Sequence, residues 1–565
     1  VLQNFIRIIA RKDHPLIIFL DDLQWADTAS FHLMKILMTD QDIACFMLIG
    51  AYRENEIDPA HPLIILGENL KNERKSPDRV VLQNLSEKNV NELISETLHC
   101  DMSESDSLAG LICSKTAGNA FFTHQILRTL HDRELLTFNT TLRGWEWDMA
   151  VLEGINITEN VVELMADKIQ NLAAGPQDFL KTAACLGNPF DPAMLRLLLE
   201  RSEDDIHSDL QRLLREGILI RQNGRCKFAH DRIHEAARSL MSGVQQKRIR
   251  LQIARLLLQN ISPEALHERI FEIADHLNFS SELIESAHEK REMIRLNLLA
   301  GRRAKHSAAI RQAYHYLMIA DNASDDSLWE KDYPLAVELY EALAEAACLN
   351  SDHQAVENFF RTSLGHIRSE PEKAGFYAIL LQSYSMENRF QEGLNSGREY
   401  LGRLGIELPE NPDDGEVQSW IEETRNLLKN YTNEELLERP AMTEPYPRAA
   451  MRILTRLFPH SYFGMPSLFG VIACQGIRLS VKHGNAAVTP IFYVNLGMTL
   501  CHPGIGEYAS GTQFGSLAEQ LAEKLDNRQA MPFILNNLYA YVAIWKKHVR
   551  TTLIHLKNSW QTGLE

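Results

Sequence analysis

Apolar and polar positions follow two different rhythms along this chain. Up to about residue 80, short continuous apolar runs alternate with segments of helical spacing. These predict a helix to Lys12, a strand at Leu16 to Leu20, a helix at Thr28 to Met38 and a second strand at Cys45 to Ala51. Both strands are apolar at every position, the pattern of a parallel sheet covered on both faces. From VLQNLSEKNVNELISETL onward the strand pattern gives way to amphipathic helices. Ser86 reads as an N-cap, without the Glu three positions later that would complete a capping box.

A third group begins near GWEWDMAVLEG and closes differently. Ile206, Leu210, Leu213 and Leu214 fall on one helical face, and REGILIRQNGRCKFAHD then places two apolar runs around Asn223-Gly224. Helices closed by a hairpin, with another helix at Arg232 to Met241, predict a winged-helix domain. After residue 245 almost everything reads as helix. Residues 300–322, 333–364 and 375–401 each place small and aromatic residues at helix-pair spacing, and polar turns (NSDH, MENR) divide the last two. This is the pattern of an irregular α-solenoid of the tetratricopeptide kind, in which each pair buries its face by stacking on its neighbours. ELPENPDDGEVQ at 407–418 marks a surface turn or a short linker. The expected architecture is α/β followed by all-α: residues 1–82 as an α/β segment, 83–150 as a helical group, 151–245 as the winged helix and 246–565 as helical repeats.

Composition narrows the class. A chain of 565 residues is too long for one core, and no apolar run approaches the length that spans a bilayer. The net charge of −17 argues against a nucleic-acid partner, because a polyanion needs a concentrated basic surface. Eight cysteines are scattered with no close pair, so neither a zinc site nor a disulfide framework is predicted, and buried thiols in a reducing cytoplasm are expected.

The chemistry concentrates in PLIIFLDDLQWADTAS, where five apolar residues run directly into Asp21 and Asp22. In a parallel sheet the ligand crevice lies at the carboxyl ends of the strands, so a carboxylate just past Leu20 is aimed at it. Asp21 is placed to hold Mg²⁺ through hard oxygen ligation, and Asp22 to orient the water that attacks a γ-phosphate.

FLDDLQWADTAS, GAYRENE, KTAGNAFF and FAHDRIHEAARSL, in this order and at these distances, resemble the signal-transducing ATPases with numerous domains (STAND), a branch of the AAA+ superfamily. More narrowly, GWEWDMAVLEGINITENVVELMADKIQNL and AACLGNPFD resemble the ATPase segment of large bacterial proteins that join a serine/threonine kinase, this ATPase, helical repeats, a GAF domain and a sensor histidine kinase. NLGMTLC and IWKKHVRTTL extend the likeness through the repeats. The resemblance implies that residues 1–82 are the C-terminal part of a P-loop AAA+ ATPase core and 83–150 its helical lid, with ATP or ADP and Mg²⁺ as cofactors, protein partners on the repeats, and a nucleotide-dependent homo-oligomer.

Carried over residue by residue, Asp21 and Asp22 match the Walker B acids, and Arg53 matches the sensor arginine that reports on the γ-phosphate. Gly118 and Asn119 match the GNPFF turn of the lid, with Ala120 in place of its proline, so the fixed φ is lost. Phe121 and Phe122 read as core. His230 and Asp231 match the His-Asp motif that closes the winged helix onto the β-phosphate of ADP, with Asp231 expected to cap the next helix. His234 has no motif behind it.

No G-x-x-x-x-G-K-[ST] occurs, nor any Gly-Lys dipeptide. With Val1 at the start and the Walker B strand only 16 residues in, a fragment of a longer protein is expected. Two other functions fit less of the pattern: a protein-interaction scaffold that does not hydrolyse ATP, and a winged-helix transcription regulator. The recognition segment of the latter, DDIHSDLQRLLRE, is too acidic for a DNA groove.

Overall fold

Helices dominate the protein, and the sheets among its described residues are three two-stranded ones. The computed structural model describes residues 2–564 apart from 41, 55–56, 58–60, 73–76, 141–142, 155–160, 223 and 528–529. By contact the chain divides into two compact units, Val1–Ile249 and Arg250–Glu565.

The first unit opens with helix α1 (Leu2–Ile9), strand β1 (Leu16–Leu20), helix α2 (Thr28–Thr39), strand β2 (Phe46–Gly50) and helix α3 (Pro62–Asn72). Helix α1 ends before Lys12 because Arg11 and His14 exchange backbone hydrogen bonds in a tight turn. Strands β1 and β2 pair in parallel, Leu16 opposite Phe46 and Leu20 opposite Gly50.

Successive strand residues point to opposite faces, and here the two faces differ. Leu20 and Leu48 pack with Phe31 and Met34 of α2 and Leu66 and Leu70 of α3, and Leu16 and Phe46 pack with Ile6 and Leu37. On the other face Ile17 and Phe19 are each 60% exposed and Met47 55%. The expected cover on both faces is thus found on one only, since α1, α2 and α3 all lie against the same side.

Helices α4 (Glu87–Leu98), α5 (Met102–Thr116) and α6 (Ala120–Asp132) follow. Ser86 caps α4 by accepting from the Asn89 N–H at 3.2 Å. Next comes a hairpin where only helices were expected: β3 (Thr137–Asn139) pairs antiparallel with β4 (Gly144–Glu146). A cross-strand contact of Phe138 with Trp145, ring centroids 5.6 Å apart, supports it. Then follow α7 (Met149–Gly154), α8 (Val161–Gln170), α9 (Ala174–Leu186), α10 (Pro192–Leu199), α11 (Glu203–Arg215), the antiparallel pair β5 (Leu219–Gln222) and β6 (Arg225–Phe228), and α12 (Asp231–Ser239). Asn223, half of the expected Asn-Gly turn, lies outside the described residues, while Gly224 takes the positive φ of 79° that such a turn requires.

The second unit is built of helices joined by short turns. Tyr333–Leu349 packs on His353–His366, and Ala374–Met386 on Phe390–Arg403 and on Pro445–Gly464. One core of this unit runs from Ala374 to Ala543 and includes Leu381, Tyr400, Leu457, Phe492 and Leu521. Residues 407–412 carry no helix, and Asp413 then starts the helix Asp414–Leu428 with a capping box completed by Glu416.

Candidate functional site

Asp21 and Asp22 follow directly on β1. Asp22 sits in the left-handed region at φ 54°, a conformation asparagine and aspartate tolerate better than most residues. The turn is held by its neighbours: Asp21 Oδ1 accepts from the Asp22 N–H at 3.0 Å, and a short 3₁₀ turn over Leu23–Trp25 begins. The cap of α2 is Asp27, which accepts from the Ser30 N–H at 2.7 Å; Ser30 holds this carboxyl below its usual range. Asp21 and Asp22 are thereby left out of helix capping.

Gln24, buried to 8% exposure, organises the turn. Its Nε2 donates to Asp22 Oδ1 at 2.9 Å, and its Oε1 accepts from the Arg53 N–H at 3.3 Å. His61 secures its backbone. The Leu63 N–H donates to His61 Nδ1 (3.2 Å), which puts the ring proton on Nε2, and Nε2 then donates to the Gln24 carbonyl at 3.2 Å.

Arg53 emerges three residues after β2 and meets two acids. Its Nη2 lies 2.5 Å from Asp231 Oδ2, and its Nε 3.7 Å from Asp22 Oδ1, the latter an electrostatic contact beyond hydrogen-bond length. The guanidinium carbon also lies 5.8 Å from the centroid of the exposed Trp25 ring. Glu54 pairs instead with Arg79 at 2.8 Å, and Glu56 is outside the described residues.

The His230-Asp231 pair divides its labour in an unexpected way. Asp231, expected to cap α12, faces Arg53; the cap is His230, whose Nδ1 accepts from the Arg232 N–H at 3.1 Å. The extended backbone of His230 (φ −154°) brings the ring over the helix start, and Asp231 lies one residue too far into the helix to do the same. With Nδ1 accepting, Nε2 carries the proton and has no acceptor among the described residues. Burial holds the imidazole below its usual pKa, reinforced by Arg53 and Arg232 and opposed by Asp231 and Asp22, so it is neutral at pH 7. Phe121, expected in the core, stacks on this ring at 4.0 Å and 18°.

Gly118 and Asn119 serve the local backbone. Gly118, at φ 73°, accepts from the Leu85 N–H at 2.7 Å, and a Cβ there would lie 2.0 Å from the Leu85 carbonyl oxygen. Asn119 caps α6 by accepting from the Phe122 N–H at 3.3 Å. Neither forms a hydrogen bond with Asp21, Asp22, Arg53 or His230. Their link to the site is indirect, through Phe121 at the start of the helix they cap. His234 Nε2 donates to the Ala184 carbonyl at 3.0 Å, and the ring packs beside Phe228.

Asp22, Arg53, Asp231 and Gln24 therefore form one connected polar cluster, with His230 adjoining it in sequence. Among the described residues no group of three or more His, Cys, Asp or Glu could hold a metal ion. A divalent ion at Asp21 would have to draw its other oxygen ligands from phosphates and water, which is the ordinary habit of Mg²⁺. The exposed carboxylate of Asp21 suits that role. No helix of the described residues is long and apolar enough to cross a membrane.

Residues 1–49, which carry β1, both acids and all but the last residue of β2, match the AAA ATPase domain family. The whole chain aligns with the hybrid signal transduction histidine kinase G of Dictyostelium discoideum at 24% identity over 706 residues, and spans about a fifth (20%) of that protein's length. The crystal structure of a signal transduction ATPase with numerous domains (STAND) with a tetratricopeptide repeat sensor, from Pyrococcus horikoshii, superposes with a TM-score of 0.43 at 13% identity, covering 100% of this chain and 76% of that one. By the domain match and the full-length relative, the chain is similar to signal-transducing AAA ATPases, as its motifs implied, with the domain match itself confined to residues 1–49.

Proposed function

We propose that this chain is the switch module of a larger signal-transduction protein, in which bound ATP or ADP sets the arrangement of an ATPase core (1–82), a lid (83–150) and a winged helix (151–245). The tetratricopeptide-like repeats that follow (246–565) exchange the signal with protein partners. Asp21 would hold Mg²⁺, which when bound neutralises phosphate charge. Asp22 orients the attacking water, Arg53 reads the γ-phosphate, and the Nε2–H of His230 donates to a phosphate of ADP. A nucleotide-dependent homo-oligomer fits the same reading.

The observation that carries this reading is the dual engagement of Arg53, beside Asp22 of the β1 turn and paired with Asp231 at the start of α12. A guanidinium held by a carboxylate is available to a γ-phosphate only when it exchanges one anion for the other. Nucleotide state and the position of α12 are thereby coupled through one side chain.

Nucleotide binding and turnover in the full-length protein test this. Asp22→Asn should lower ATP turnover by about tenfold or more with ADP affinity kept, and Arg53→Ala should abolish the preference between ATP and ADP. Turnover at the parent level in Asp22→Asn, or an ATP/ADP ratio untouched in Arg53→Ala, rejects the assigned roles.

A further inference from the structure

A cavity of about 800 Å³ opens between the start of α5, the end of α6, the β3–β4 hairpin and the start of α7, and none of the residues of the nucleotide reading lines it. Its walls include two tryptophans, Trp145 and Trp147, and four carboxylates, Glu104, Glu134, Glu146 and Asp148, with no lysine or arginine among them. Trp145 is held in place by edge contacts with His131 and Phe138, each at 5.6 Å between ring centroids. Asp148 is engaged by the Ala150 N–H at 2.9 Å and Glu146 by the Asn139 side-chain amide at 2.9 Å. Glu104 and Glu134 have neither a hydrogen bond to their carboxylates nor an ion pair among the described residues.

The volume lies in the range of pockets that enclose organic ligands and far exceeds that of one bare ion. Indole faces beside uncompensated carboxylates favour a flat or compact organic cation, through ring quadrupole and charge together. The hairpin adds a requirement of its own. Being two-stranded, it leaves one backbone edge of each strand without a strand partner among the described residues, and another peptide backbone can extend such an edge as an added strand, which a free amine cannot do.

We propose that this cleft binds a peptide segment carrying arginine or lysine side chains. The cation sits between the tryptophans and Glu104 and Glu134, and the peptide backbone runs along the hairpin. The site is independent of nucleotide and gives the lid a way to sense a basic partner segment.

Isothermal titration of the protein with acetyl-Gly-Arg-Gly-Arg-Gly-amide tests this, with the citrulline peptide as the neutral isostere and spermidine as a free polyamine. Saturable binding of the arginine peptide below about 1 mM is expected, with no binding of the citrulline peptide and weaker binding of spermidine. Because the chain is strongly acidic, the decisive comparison is between two double variants that remove equal charge. Glu104→Gln with Glu134→Gln should weaken the peptide by about fivefold or more, whereas Glu268→Gln with Glu285→Gln, on the repeats, should change it less than about twofold. Trp147→Phe, which keeps an apolar ring but a weaker quadrupole, should weaken it by about twofold. Equal effects of the two double variants would mean a diffuse field and overturn the proposal, as would spermidine binding as tightly as the peptide or no saturable binding at all.

Discussion

Arg53 Nη2 lies 2.5 Å from Asp231 Oδ2, joining the segment after β2 to the first residue of α12 across 178 positions of sequence. The side chains are 30% and 40% exposed, so solvent screens the pair and its contribution to stability stays below about 1 kcal/mol. Its expected importance is in nucleotide choice. Asp231→Asn should leave the thermal midpoint within about 2 °C while raising the affinity for ATP relative to ADP in the full-length protein, because Arg53 no longer has to leave its hydrogen-bonded carboxylate on α12. A competition titration with both nucleotides reads the ratio, and an unchanged ratio removes Asp231 from the switch.

Gln24 should matter more to the shape of the site than its uncharged side chain suggests. Gln24→Ala deletes the donor to Asp22 and the acceptor of the Arg53 N–H, in a nearly buried position. A loss of about 1–2 kcal/mol is expected from urea denaturation. Gln24→Glu should be worse, since it sets a second carboxylate against Asp22. A glutamate variant as stable as the parent would show that the bridge is not formed.

The glycine of the lid turn is required on steric grounds. At φ 73°, and with the Leu85 carbonyl oxygen 2.0 Å from where a Cβ would stand, Gly118→Ala must displace backbone. The cost should exceed about 2 kcal/mol. Hydrogen exchange should localise the loss to residues 84–90 and the start of α6, and a variant with parent-like protection there would contradict this packing.

In the second unit, His276 is 6% exposed and its Nδ1 has no hydrogen-bond partner among the described residues. Burial, helped by Arg250 and Arg269 and opposed by Glu272, pushes its pKa down to about 4. The unfolded chain takes up a proton near pH 6.5 that the folded chain refuses until near pH 4. Stability is therefore fully present above pH 6.5 and falls as the pH drops through that window, by up to about 3 kcal/mol. Denaturant midpoints at pH 7 and pH 5 should differ in the parent and converge in His276→Gln; an equal pH dependence in both would locate the titration elsewhere.

Much of both units was legible from patterning. The bounds of β1, the parallel pairing of β1 with β2, the Ser86 cap and the helices over 333–364 and 375–401 all depend on local spacing, where the side-chain period selects the element. The candidate residues were legible as types: two acids after a strand, an arginine after the next, a His-Asp pair before a helix. The β3–β4 hairpin was missed because FNTTLRGWEW is too short to establish a period-2 pattern. Its pairing rests on a Phe138–Trp145 contact that forms only once the turn has closed.

By itself the sequence determined which chemistry is present and at which strand and helix ends it stands. Only the tertiary structure decided how those groups combine. It gave Arg53 to Asp231 rather than to its neighbour Glu54, gave the α12 cap to His230 rather than Asp231, placed the Gln24 amide between Asp22 and Arg53, and left Ile17 and Phe19 exposed on a strand that reads as buried. The reason is physical. Periodicity and capping act over three or four residues, whereas the partner of a charge and the covering of a sheet face depend on which distant segments packing brings within a few ångströms.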